Sequence, residues 1–92
     1  MTVYESIATK LEISPQELER ESLRLFLSQR LRLVESQLLN LVRQYGVQTI
    51  TEFDELVQSG QIREADAFED YFEFDHLETE RDLLLNSLKE LD

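Results

Sequence analysis

Apolar residues recur along most of this chain at steps of three and four, the spacing that keeps one face of an α-helix on one side. The strongest run is Leu27, Leu31, Val34, Leu38, Leu41 and Tyr45, a continuous seam built to face a partner helix. Leu23, Leu25, Phe26, Leu33, Leu39 and Val42 widen that surface beyond what one neighbouring helix covers. Self-association through the Leu27 to Tyr45 seam is therefore expected.

Local signals bound the elements. Ser14, Pro15 and Glu17 form an N-cap, a first-turn proline and the carboxylate of a capping box, with Ile13 and Leu18 as the hydrophobic staple. Gly46 suits the left-handed conformation that ends a helix. The element between, 15–45, is about 46 Å long at ~1.5 Å per residue. Thr49 and Glu52 open a second, short helix, 50–59, which Gly60 closes. The last helix, 64–91, starts without a good N-cap, although Glu64 and Asp66 suit the positive end of the helix dipole. Its seam is Phe74, Leu77, Leu84, Leu88 and Leu91, interrupted by Arg81. Val3, Tyr4, Ile7, Ala8 and Leu11 predict a short leading helix within 1–13. The expected fold is a single all-α domain over 1–92, an antiparallel hairpin of two long helices completed as a dimeric bundle.

Composition changes this picture in three ways. Ninety-two residues without a cysteine bury only a modest core and have no disulfide or thiolate staple, so helix packing and self-association must stabilise the fold. No basic-then-apolar leader and no bilayer-length apolar run is present, and a cytoplasmic location is expected. The net charge of −11 is also unevenly placed. Residues 1–45 carry six acids and six bases, whereas 46–92 carry fourteen acids against Arg63, Arg81 and Lys89. Such a field repels nucleic acid and steers basic partners toward the second half.

The densest acids lie on the last helix: Glu64, Asp66, Glu69, Asp70, Glu73, Asp75, Glu78, Glu80 and Asp82. Like charges four apart, Asp66 with Asp70 and Glu69 with Glu73, weaken a helix by a few tenths of a kcal/mol per pair. A basic partner would offset that cost, as would the arginines Arg24, Arg30, Arg32 and Arg43 of the first long helix. Aromatics interleave with the acids in FEDYFEFDHLE. Phe68 and Phe72 suit core packing, while Tyr71 and Phe74, at other angles, suit an exposed anchor ringed by acids. The expected partner surface comprises Glu69, Asp70, Tyr71, Phe72, Glu73, Phe74, Asp75 and Glu78, with aromatic contacts from Tyr71, Phe72 and Phe74. Glu73 and His76 also form an E-x-x-H pair of the type used by ferritin-like metal bundles, which Glu35 would complete across a dimer. No phosphate loop, nucleophile or catalytic triad is present, so neither enzyme activity nor a cofactor is expected.

The segment Ile7 to Leu27, IATKLEISPQELERESLRLFL, resembles the helical portion of ribbon-helix-helix antitoxins and, more loosely, a helix-turn-helix. Those DNA readers need a basic strand at the N-terminus, and MTVYES has no basic residue. In architecture and charge the whole chain resembles the small acidic helical antitoxin-like proteins of prokaryotes. That resemblance implies an acidic helix masking the basic surface of a small RNase-like toxin.

Overall fold

The computed structural model describes residues 2–92, without the side chain of Asp66. Four helices follow in order: α1 (Val3–Lys10), α2 (Pro15–Tyr45), α3 (Ile50–Gln58) and α4 (Glu64–Leu91). Helices α2 and α4 form the expected all-α hairpin, α3 packs on α4 at the turn, and α1 folds back on the start of α2. The result is a rod with extents of 60 × 21 × 19 Å.

Caps set the boundaries. The Ser14 hydroxyl accepts the Glu17 N–H at 3.0 Å, and the Thr49 hydroxyl accepts the Glu52 N–H at 3.2 Å. Gly46 ends α2 with φ +68°, its N–H bonded to the Val42 carbonyl. Helix α3 ends in a Schellman motif: the N–H groups of Gly60 and Gln61 bond the carbonyls of Val57 and Leu56, with Gly60 at φ +80°.

The expected leading helix over 1–13 is shorter than its apolar pattern suggests. Thr2 caps it through the Glu5 N–H, and Leu11 to Ile13 form its terminus; Met1 lies outside the described residues. That terminus is a second Schellman motif. The Glu12 and Ile13 N–H groups bond the carbonyls of Thr9 and Ala8, and Glu12 takes the left-handed position at φ +58°. A side chain there costs about 1 kcal/mol that glycine avoids. Glu12→Gly is therefore expected to stabilise the protein by up to about 1 kcal/mol, read as an increase in the urea midpoint.

The core lies toward the α3 end of the rod. Val34, Leu38 and Leu41 of α2 meet Ala67, Phe74, Leu77 and Leu84 of α4, with Val47 and Phe53 closing the turn. Phe53 is fully buried at the centre, its ring 4.5 Å from that of Tyr45, 5.9 Å from Tyr71 and 6.0 Å from Phe74. At the opposite end Arg24 reaches Asp92 at 2.8 Å, so α4 runs out there and residues 15–23 of α2 extend past it. Leu23 continues the seam four residues before Leu27 but is left exposed by that overhang.

The expected self-association seam is therefore corrected. Leu27, Leu31 and Tyr45 pack against the same internal cluster that holds Val34, Leu38 and Leu41. The chain's own α4 occupies the seam, and the apolar residues left outside are those flanking it.

Candidate functional site

On α4 the aromatics divide between two faces, and the division reverses part of the expectation. Phe74 belongs to the heptad seam with Leu77 and Leu84, so it is fully buried and is not an exposed anchor. Phe72 lies roughly 160° around the helix from it. Phe68 and Phe72 are 58% and 55% exposed, their rings 4.9 Å apart in an edge-to-face pair. Tyr71 is half-buried between the faces, its ring 5.7 Å from Phe72 and 5.9 Å from Phe53.

These rings border a depression of about 130 Å³ lined by Val57, Ala67, Phe68, Tyr71 and Phe72, with Asp54 and Glu64 also on its wall. Its floor is apolar and its rim is acidic. Asp54 and Val57 were not in the expected partner surface, because α3 is brought beside α4 only by the turn at residues 59–63, and Glu64, at the start of α4, was read only as part of the acid run and a partner of the helix dipole.

The acids separate into two groups as well. Asp70 accepts the Tyr45 hydroxyl and Gln44 Nε2, joining the end of α2 to the start of α4. Glu78 accepts the Ile50 N–H at 2.7 Å, satisfying a first-turn donor of α3 and placing negative charge at its positive end. Asp70 and Glu78, both half-buried members of the expected partner surface, thus also hold the fold. Glu69, Glu73 and Asp75 are exposed, and their carboxylates make no hydrogen bond or ion pair among the described residues. The Asp66 side chain, expected in the same run, lies outside the described residues.

Part of the acid run is neutralised from α2, as the arginine pattern allowed. Arg30 Nε donates to Glu80 Oε1 at 2.6 Å, and the Glu80 side chain is only 18% exposed. The bond from Arg30 holds the Glu80 carboxyl below the usual carboxylate range, against the opposing effect of burial. A carboxyl lowered by folding stabilises above its unfolded value, and that contribution disappears as pH falls through the folded value. Glu80→Gln should therefore melt below the wild type at neutral pH, with the gap closing as pH falls below the usual carboxylate range in paired thermal melts.

Within one chain the metal constellation is not assembled. Glu35 lines a shallow depression with Phe74 and Arg81 that includes neither Glu73 nor His76. The His76 side chain is 77% exposed, with Nε2 3.8 Å from Glu80. Among the described residues no group of three His, Asp or Glu side chains is placed to hold a metal ion.

The fold and site define an all-α helical hairpin with an acid-rimmed aromatic face, in which no helix of the described residues is long and apolar enough to cross a membrane. The chain belongs to the MJ0235 family: the model described as "Uncharacterized protein MJ0235 family" matches residues 1–92. Comparison with curated proteins and with solved structures found no match.

Proposed function

We propose that this chain is a protein-interaction module whose α3–α4 end docks a basic protein. The observation that carries this is the exposed Phe68–Phe72 pair beside an apolar depression rimmed by Asp54 and Glu64, with Glu69, Glu73 and Asp75 nearby and unpaired among the described residues. Large aromatic side chains anchor interfaces when a partner removes them from water, and the surrounding charge accelerates encounter with an oppositely charged surface. An apolar side chain flanked by lysines or arginines has the matching chemistry.

In its specific form the proposal is antitoxin-like masking in the cytoplasm. The acidic face covers a basic catalytic or nucleic-acid-binding surface, and the neutral α1–α2 end remains outside the contact. Charge supports this direction of action, since fourteen of the twenty acids lie in residues 46–92.

Affinity capture from host cells with wild-type and Phe68→Ser/Phe72→Ser baits tests the proposal. A basic protein retained by the wild type, released by salt and lost with the double variant is the expected result. If that partner arrests growth when expressed alone and is tolerated when co-expressed with this chain, the masking form is upheld. Equal capture by both baits, or a partner without excess basic charge, contradicts the docking proposal.

A further inference from the structure

The face of α2 turned away from α4 has a composition unlike the rest of this chain. Leu25, Phe26 and Leu33 lie there fully outside the core, Phe26 being 64% exposed and Leu25 60%. Ser22, Gln29, Ser36 and Asn40 share the face, are all exposed, and carry no charge. Between Ser22 and Asn40, Arg32 is the one charged residue on this stripe, with Arg43 following beyond it, in a chain that is 32% charged overall. A solvated helix face normally carries more charge, and small serines beside large apolar groups allow another helix to approach closely.

Helix α1 extends the apolar surface. Tyr4 lies beside Glu19 and Ser22, which brings the start of α1, with the exposed Val3, alongside the first turns of α2. Ile7 follows four residues later on α1 and is also exposed. Together Val3, Ile7, Leu25, Phe26 and Leu33 present on the order of 500 Å² of apolar side chain. That is the size of the largest apolar patch on an ordinary monomer, which is often functional, and is more than half of the ~800 Å² each partner contributes to a standard interface.

We infer that this face is the contact with a second copy of the same chain, packed antiparallel through α2. Charge selects this occupant. Residues 1–45 balance six acids with six bases, so two such halves approach without net repulsion, and the antiparallel order sends the two acidic ends to opposite poles. A two-fold axis beside Gln29 sets Phe26 of each copy against Leu33 of the other, the heptad step of facing helices. The dimer leaves both Phe68–Phe72 faces open and does not depend on what they bind.

Sedimentation equilibrium with the full chain tests the inference. The wild type is expected at twice its 10.9 kDa mass, and Phe26→Glu/Leu33→Glu at 10.9 kDa with unchanged helicity, because both side chains are already exposed. Since the chain lacks cysteine, Gln29→Cys should form an intermolecular disulfide under mild oxidation while Ser59→Cys, at the far end, should not. A wild type that stays monomeric to millimolar concentration overturns the inference. So does a dimer that survives the double variant, or one that Phe72→Glu dissociates instead.

Discussion

Truncating Phe74 to alanine is expected to lower stability by about 3–5 kcal/mol, while the same change at Phe72 should cost less than about 1 kcal/mol. The contrast follows from their placement on one helix. Phe74 is fully buried, its ring 6.0 Å from that of Phe53, where α2, α3 and α4 converge; removing it opens a cavity that helix ends cannot collapse to fill. Phe72 keeps more than half its surface in water and touches Phe68 and Tyr71 only at their edges. For a domain of this size a loss of ~4 kcal/mol is a large share of the total, and Phe74→Ala should be substantially unfolded near its physiological temperature. Urea titrations followed by circular dichroism measure both. Equal costs at the two positions would reverse the assignment of core and surface on α4.

The second large effect concerns binding. Phe68→Ala and Phe72→Ala should each weaken capture of the basic partner by about 30-fold or more, the scale of a desolvated aromatic anchor worth ~2 kcal/mol, without lowering the melting temperature by more than a few degrees. Charge removal should behave differently. Replacing Glu69, Glu73 and Asp75 with their amides is expected to slow association by roughly tenfold and flatten its dependence on salt, leaving dissociation nearly unchanged. Because these three carboxylates hold nothing among the described residues, the triple variant should fold as well as the wild type or better. Asp70→Asn and Glu78→Gln, by contrast, should register as losses of stability, since one carboxylate holds Tyr45 and the other the first turn of α3.

The helical boundaries were legible because caps are local. Ser14, Gly46, Thr49 and Gly60 each announce a terminus within four residues of sequence, and the structure uses all four. The end of α1 was not legible for an equally local reason. Glu12 occupies the left-handed position where glycine would have marked the stop, so the apolar spacing through Leu11 extended the expected helix too far.

The aromatic face required information from elsewhere in the chain. Phe68, Tyr71, Phe72 and Phe74 surround a helix on several sides, and only the arrival of α2 and of Phe53 on α3 decides which side is inside. Phe74 stood on both the heptad seam and the expected binding surface, and the seam prevailed. The acids share this ambiguity: Asp70 and Glu69 are adjacent and look alike in sequence, yet one faces Tyr45 across the hairpin and the other faces solvent. The Leu27 to Tyr45 seam was identified correctly as a packing surface, but its partner is α4 of the same chain. The excess apolar width that no single helix could cover is what remains on the back of α2.

The most direct test of acid-aromatic docking is a heteronuclear NMR titration of the full chain with a lysine- and leucine-bearing amphipathic peptide, alongside a glutamate-for-lysine control. Saturable shifts confined to Asp54, Val57, Glu64, Phe68, Tyr71 and Phe72, weakened by salt and absent with the acidic control, are the predicted result. Shifts spread over α2, or the same response to both peptides, would contradict it.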